Sequence, residues 1–120
     1  MYKILYIIIM KTINFVGTSL DDIKSFPEKV RQRIGYQLYR IQKGEAPNDW
    51  KPMKSIGQGV KEIRIKIKDQ YRVIYIASIS DKIYVLHAFR KKSQKTEKHD
   101  LDTAKRRLKA IQMNKGEKNG

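Results

Sequence analysis

A strict alternation of apolar and charged residues marks residues 61–68. Ile63, Ile65 and Ile67 are each followed by a charged residue. Successive side chains of a β-strand point to opposite faces, so a period of two produces one apolar face and one charged face. This segment is therefore predicted to be a strand whose isoleucines face the core.

Three further segments carry strand patterns. Residues 71–80 and 83–89 are rich in Ile, Val and Tyr and are bounded by short polar turns. Short connections between consecutive strands predict an antiparallel meander, with Asp69 and Gln70 as its first turn. A weaker alternation over residues 11–17 ends at a glycine and predicts a first strand.

The chain between the first strand and the meander carries helix signals. Cap-type residues at Thr18 and Ser19 predict a short helix that ends before Pro27. Pro27 and Glu28 suit the start of a second, longer helix, which Gly44 closes. The two helices together predict a helical hairpin. Apolar residues recur along the longer helix at spacings of three and four, at Val30, Ile34, Leu38 and Ile41.

The remaining segments complete the predicted fold. Two prolines and two glycines in residues 45–59 predict a surface loop. Thr96 and Glu97 begin a C-terminal helix whose apolar stripe includes Leu101 and Leu108. The pattern predicts the α+β class: an N-terminal helical hairpin packed on one face of a twisted antiparallel sheet of about four strands, plus a C-terminal helix.

A chain of 120 residues has the length of one domain. We expect this domain over residues 12–113, with an N-terminal extension or the start of the first strand at 1–11 and a flexible tail at 114–120. Met10 is an alternative start, because the sequence from there contains the whole first strand. The chain has no cysteine, so a disulfide framework and a thiol nucleophile are excluded and a cytoplasmic location is expected.

The net charge of the chain indicates which class of partner it binds. Lys and Arg number 27 against 12 Asp and Glu, which gives a net charge of +15 at pH 7. Such an excess is typical of proteins that bind a polyanion, most often nucleic acid and less often an acidic membrane or protein. The apolar run Ile4–Ile9 is far shorter than the ~20 residues that span a bilayer, so no membrane partner is expected.

The charged face of the meander is the candidate binding surface. Arg64 and Lys66 project away from the isoleucines of their strand. Arg72 on the next strand can join them, although a slip of one residue in register would send it to the other face. Cations on adjacent strands focus positive potential that suits a phosphate backbone. Further candidates lie at and after the end of the last strand: His87, Arg90, Lys91, Lys92 and Lys95.

Three runs of the sequence carry a family pattern: KEIRIKIKDQYRVIY, VLHAFRKKSQKT and LDTAKRRL. Together with FPEKVRQRIGYQL and DWKPMKSIGQGV they cover roughly residues 12–111. In these runs the chain resembles the HigB-like, phage-associated branch of the RelE/ParE toxin superfamily. The resemblance implies a toxin of a type II toxin–antitoxin system. Many members of this superfamily are similar to one another in that they cut messenger RNA in the ribosomal A site and are inhibited by a helix-turn-helix antitoxin. The resemblance therefore implies three partners: the ribosome, its messenger RNA and such an antitoxin.

The resemblance also implies roles for single residues. Arg72 matches the position of a phosphate-binding arginine, and Arg64 matches a position where RelE-type enzymes hold a catalytic lysine. Lys91 or Lys92 falls where a further catalytic cation follows the last strand. The C-terminal tyrosine or histidine that some members use as a base has no clear counterpart near His99. Because Arg72 is expected on a charged face, its replacement by alanine is expected to change melting little.

When the 2′-hydroxyl of an RNA attacks the neighbouring phosphate and cuts the chain, the reaction needs three groups. These are a proton acceptor for the hydroxyl, positive charge to stabilise the phosphorane, and an acid for the leaving 5′-oxygen. Arginines can supply only charge, because guanidinium groups stay protonated. A histidine, or a lysine whose pKa neighbouring cations lower, can exchange protons near neutral pH. The catalytic candidates are Arg64, Arg72, His87, Lys91 and Lys92, and the RNA-binding candidates are Lys66, Arg90, Lys95 and His99.

No metal and no small-molecule cofactor are expected, because two isolated histidines and scattered carboxylates show no metal-ligand spacing. Two functions stay open at this stage. The first is a metal-free, ribosome-dependent mRNA endoribonuclease that inhibits translation. The second is a non-catalytic toxin, either a ParE-like protein that blocks DNA gyrase or a basic module that binds nucleic acid. Cuts in cellular messages, as opposed to DNA damage with intact messages, distinguish them.

Overall fold

A computed structural model describes the backbone of residues 10–119 and the side chains of residues 10–114. Within residues 10–119 the chain forms five strands and three helices in the order β1-α1-α2-β2-β3-β4-β5-α3. None of the helices in this range combines the length and the apolar character needed to cross a membrane. The strands are β1 (Thr12–Phe15), β2 (Trp50–Pro52), β3 (Val60–Ile67), β4 (Asp69–Ile76) and β5 (Lys82–Lys91), and the helices are α1 (Ser19–Lys24), α2 (Glu28–Gln42) and α3 (Lys98–Asn119).

One sheet contains all five strands, in the order β1-β5-β4-β3-β2. The predicted antiparallel meander is present, since β3 pairs with β4 and β4 with β5 in antiparallel fashion. β1, however, pairs with β5 in parallel, so the expectation of a purely antiparallel sheet is wrong. Turn length determines direction only for consecutive strands, and two helices and three strands separate β1 from β5 along the chain.

The fifth strand comes from the segment that was expected to be a loop. Trp50–Pro52 pairs with β3 at the edge of the sheet, and Lys51 lies directly opposite Glu62. Pro52 is tolerated there because an edge strand needs no N–H donor on its outer side. The sheet therefore has five strands and not about four.

The first two helices pack on the same face of the sheet. α1 lies against β5 and α2 against β3, so they contact different strands and do not form the predicted helical hairpin. The apolar stripe of α2 is buried as predicted, and Ile63 and Ile65 of β3 face it in a common core.

The C-terminal helix covers the opposite face, which corrects the expectation of helices on one face only. Ala104 and Leu108 of α3 pack with Ile74 and Leu86 in a second core. All six residues 71–76 of β4 are buried. Strands covered on both faces have near-continuous apolar runs, and the predicted strand segments 71–80 and 83–89 already had this composition.

Two expectations concern the ends of the domain. α3 extends to Asn119, so residues 114–119 continue the helix, and the mobility of the tail stays a prediction. Residues 1–9 lie outside the described residues, so the N-terminal extension and the alternative start at Met10 also stay predictions. The domain at 12–113 corresponds to β1 through most of α3.

Candidate functional site

The hairpin that carries the basic face turns at a single residue. Lys68 adopts a left-handed conformation with φ of 63° and joins Ile67 directly to its pairing partner Asp69. The predicted turn at Asp69 and Gln70 is therefore wrong, since both belong to β4. This turn determines the pairing register of β3 and β4.

The register puts two arginines side by side. Arg64 on β3 is the direct partner of Arg72 on β4, and Lys66 lies two residues further along β3 on the same face. Directly opposed residues on one face have Cβ atoms about 4.5–5.5 Å apart. The structure thus brings together the three predicted residues of β3 and β4.

Arg72 is held from three directions. Nη1 donates to the carbonyl oxygen of Tyr71 at 3.1 Å, Nη2 donates to Oε1 of Gln70 at 2.6 Å, and Nε lies 3.4 Å from Oε1 of Glu62. Burial lowers the pKa of Arg72, and the Glu62 carboxylate opposes this shift. A guanidinium has five N–H donors. One on Nη1 and one on Nη2 make these hydrogen bonds, and Nε–H lies within ion-pair distance of Glu62 without a hydrogen bond among the described residues. The second N–H of each Nη remains.

The burial of this ion pair corrects one expectation. Arg72 is 6% exposed and Glu62 0%. Removing one partner of a buried ion pair leaves an uncompensated charge and costs about 3–5 kcal/mol. Replacement of Arg72 by alanine is therefore expected to destabilise the fold, whereas the sequence pattern predicted little change in melting.

Arg64 lies at the solvent-exposed side of the pair. Its Nε donates to Oδ1 of Asp49 at 3.1 Å, and Nη2 lies 3.0 Å from the same oxygen. A groove of about 220 Å³ runs over this region. The residues that line it are Asp49, Arg64, Ile65, Lys66, Gln70 and Arg72.

A bulge in β5 adds a third strand to the same face. Tyr75 pairs with Val85 but Ile74 pairs with His87, so Leu86 has no pairing partner on β4. The extra residue reverses the alternation beyond it. As a result Lys91, which lies opposite Gln70, faces the same side of the sheet as Arg72.

Lys91 is surrounded by other cations. Burial lowers the pKa of Lys91, and the charges of Arg72, Lys51 and Arg64 lower it further. The Glu62 carboxylate acts in the opposite direction. A lysine with a lowered pKa can accept or give a proton closer to neutral pH than a free lysine.

A cavity of about 330 Å³ lies between the end of β5 and the start of α3. It brings together the six remaining predicted residues, and Lys91 belongs both to this cavity and to the charge cluster around Arg72. The predicted site is therefore two adjoining concavities. The predicted residues that line the cavity are His87, Arg90, Lys91, Lys92, Lys95 and His99.

His87 is a buried member of this set. Its Nε2 lies 2.7 Å from Oδ1 of Asp100 at the start of α3, and its ring stacks on Phe89 at 5.1 Å between centroids. Nδ1 is buried and has no hydrogen-bond partner in the described part of the chain. In this arrangement His87 connects β5 to α3, and its catalytic role stays a prediction.

The remaining cations of the cavity differ in orientation. Arg90 lies opposite Tyr71, a residue of the helix-facing core, and its Nη2 is 2.8 Å from Oδ2 of Asp69. Lys92 and Lys95 follow β5 and are exposed. All three line the cavity, and the register of β5 points Arg90 to the face opposite Arg72.

His99 is exposed and lies against two carboxylates. Nδ1 is 3.2 Å from Oε2 of Glu97, and Nε2 is 3.4 Å from Oδ1 of Asp100. One potential ligand atom from each of these three residues lies within 4.8 Å of the others, so they could hold a metal ion. The fold thus brings together groups that show no metal-ligand spacing in the sequence, and the expectation of a metal-free site stays a prediction.

Four acceptors at the site were not predicted. Glu62, Asp49 and Gln70 contact the arginines, and Asp100 contacts both histidines. Glu62 carried a signal, because it alternates with Arg64 on the charged face of the strand 61–68. Gln70 lies two residues before Arg72 on the same strand, but the sequence predicted a turn there. Asp49 and Asp100 gave no local signal, since only the fold brings them to the cations.

Comparison with known proteins identifies a family for this chain. A family model described as phage derived protein Gp49-like (DUF891) matches residues 21–109, which include all the predicted site residues. The chain matches none of the curated proteins. The matched span is more than half of the 120 residues. The chain therefore belongs to the phage-derived Gp49-like family, a RelE/HigB-like toxin family of toxin–antitoxin systems.

Proposed function

We propose that this protein is the toxin of a type II toxin–antitoxin system, of the phage-associated HigB-like branch. It acts in the cytoplasm as a ribosome-dependent mRNA endoribonuclease, and a helix-turn-helix antitoxin inhibits it. Membership of the Gp49-like family is compatible with a toxin. The nuclease activity itself is our inference from the site.

One observation carries this proposal: Arg64, Arg72 and Lys91 face the same side of three adjacent strands. The two arginines supply positive charge where a phosphodiester would acquire negative charge during cleavage. The lysine has a lowered pKa because of burial and of those same arginines. Charge stabilisation and proton transfer are thus available at one place.

The proposed reaction uses the 2′-hydroxyl of the RNA as the nucleophile. Neutral Lys91 accepts the hydroxyl proton while the oxygen attacks phosphorus, and Arg72 and Arg64 stabilise the resulting phosphorane. The bond between phosphorus and the 5′-oxygen then breaks, and His99, which lines the adjoining cavity with Lys91, is the proposed proton donor to that oxygen. The products are a 2′,3′-cyclic phosphate and a 5′-hydroxyl, and solvent restores both protonation states.

Substitutions of the two arginines test this function. Arg64→Ala removes an exposed charge and should lower ribosome-dependent cleavage by a factor on the order of 10²–10³. Arg72→Lys retains a charge beside Glu62 but loses the planar fork, so cleavage should fall by a smaller factor. Cleavage is measured by mapping the ends of messages on purified ribosomes, with Arg31→Ala on the exposed face of α2 as the control.

The outcome also separates the alternatives. Cleavage should persist in EDTA under conditions that keep the ribosome intact, and the products should carry cyclic phosphate ends. Full toxicity of the Arg64→Ala, Arg72→Lys double variant at equal expression and unchanged melting would contradict the nuclease. DNA damage with intact messages would then favour a toxin that blocks DNA gyrase.

A further inference from the structure

One buried carboxylate lies at the centre of the basic face. Glu62 on β3 is directly opposite Lys51 on β2, and its exposure is 0%. The face around it carries several cations on neighbouring strands. A buried charge is retained only when it is paired, because its desolvation is costly.

The contacts of Glu62 reach three other parts of the chain. Oε1 lies 3.4 Å from Nε of Arg72 and 3.9 Å from Nζ of Lys51. Thr96, in the segment before α3, donates its hydroxyl to Oε2 at 3.4 Å. One carboxylate thus connects β2, β4 and the segment leading to α3. Because Glu62 has no exposed surface, it cannot touch a substrate itself.

We propose that Glu62 is the positioning residue of the site: it holds Nε of Arg72 so that the two free N–H donors of that guanidinium face the groove. This role rests on the proposed function, because it concerns how Arg72 meets the scissile phosphate. Lys51 and Thr96 in turn keep the carboxylate in place. The guanidinium is therefore oriented before substrate arrives, and no binding energy is spent on ordering it.

The Glu62 carboxylate also raises the pKa of Lys91. Loss of its negative charge would lower the pKa of Lys91 further, since Glu62 is the group that raises it. The limb of the pH–rate profile that Lys91 controls would then move to lower pH. The charged and titratable groups near Lys91 lie on every neighbouring element. They are Lys51 on β2, Glu62 and Arg64 on β3, Lys68 in the turn, Asp69 and Arg72 on β4, Asp22, which follows β1 in α1, and the cavity residues His87, Arg90, Lys92, Lys95, Glu97, His99 and Asp100.

Glu62→Gln is the informative variant, because it removes the charge and keeps the shape. On purified ribosomes, kcat should fall by roughly 10²-fold through misplacement of Arg72, and the Lys91 limb should shift to lower pH. Glu45→Gln is the matched control, since Glu45 is an exposed carboxylate that pairs with Arg40 and Lys43. It should change neither kcat nor the pH profile.

A double-variant cycle separates positioning from a purely structural role. If Glu62 acts through Arg72, the loss caused by Glu62→Gln should be much smaller in an Arg72→Lys background. Equal losses in both backgrounds, or an unchanged pH profile in Glu62→Gln, would overturn the proposal.

NMR of the full wild-type chain provides a readout that needs neither activity nor a folded variant. The Nε–H proton of Arg72 should exchange with water far more slowly than that of exposed Arg31. Fast exchange at Arg72 would sink the positioning role even if cleavage occurs. Slow exchange in a protein that cuts no message would instead contradict only the proposed nuclease.

Discussion

Arg64 and Arg72 carry the same guanidinium in different surroundings. The Arg64 side chain is 41% exposed and its partner Asp49 is 59% exposed, whereas the Arg72 side chain is 7% exposed and faces a fully buried carboxylate. Solvent screens an exposed charge far more than a buried one. Arg64 can therefore leave Asp49 for a phosphate at small cost, whereas Arg72 stays beside Glu62.

Burial of Tyr75 makes the free energy of unfolding vary with pH in the alkaline range. Burial raises the pKa of Tyr75 to about 12 from its usual 10.0. In the unfolded chain the Tyr75 hydroxyl loses its proton near pH 10, and in the folded protein it does so near pH 12. The contribution of Tyr75 to the free energy of unfolding is therefore complete below pH 10 and is lost as the pH rises to 12. The free energy of unfolding should fall by up to about 3 kcal/mol from this residue. Tyr75→Phe should show a weaker pH dependence in denaturant unfolding between about pH 9 and 11.5, and equal slopes would refute the assignment.

The link between β5 and α3 is the element on which the cavity depends. Asp100 at the start of the helix binds His87 on the strand, and Arg107 further along α3 donates to the carbonyl oxygen of Leu86 at 2.9 Å. The second bond reaches the bulge residue, which pairs with no residue of β4. α3 thus stabilises the bulge that turns Lys91 toward Arg72.

Asp100→Ala should loosen this link. Both ring nitrogens of His87 would then lack a protein partner, and a buried unsatisfied donor costs about 1–3 kcal/mol. Denaturant unfolding should show this loss, and hydrogen exchange in the first turn of α3 should accelerate. Asp102→Ala, an exposed carboxylate on the same helix, should have little effect, and equal losses in the two variants would contradict the role of the pair.

A glycine in the middle of α2 lowers the stability of that helix. Gly35 is exposed, and a Cβ built there meets no atom of the described residues within 4 Å. Glycine in a helix costs roughly 0.5–1 kcal/mol relative to alanine, so Gly35→Ala should raise the melting temperature. Gly59→Ala is the opposite case, because φ is +84° and an added Cβ would lie 2.6 Å from Oγ of Ser78. A destabilised Gly35→Ala variant would show that this face of α2 is not open.

At the scale of the molecule, the sheet separates a face that is covered by helices from a face that is partly uncovered and carries cations. α1 and α2 bury one face, and α3 covers only part of the other. The uncovered part carries the cations of β3, β4 and the end of β5. The cations of this face therefore lie on three adjacent strands, so a polyanion can contact several strands at once.

Binding of RNA or ribosomes should accordingly depend steeply on salt. Each phosphate that the protein neutralises releases counterions, and the slope of log K against log salt is about −0.7 to −0.9 per contact. Filter binding or fluorescence anisotropy over a salt series measures this slope. An affinity that is flat between low and moderate salt would remove the polyanion as the partner of the basic face.

Local periodicity predicted most elements of this fold correctly. The isoleucines of β3 face the core, the stripe of α2 is buried, and the meander of β3, β4 and β5 is antiparallel. These features depend on neighbouring residues in the chain, through a strand period of two, a helix period of 3.6 and short turns. The sequence by itself also determined that one face of β3 is charged.

Tertiary structure alone decided how these elements combine into a site. The single-residue turn at Lys68 aligned Arg64 with Arg72, and the bulge at Leu86 moved Lys91 to their face. Packing on both sides of the sheet brought α3 beside β5 and buried Glu62. Each of these outcomes depends on contacts between residues distant in sequence, where a shift of one residue reverses every side chain. No local pattern encodes such a shift, so the cation types could be predicted from the chain but their meeting around a buried carboxylate could not.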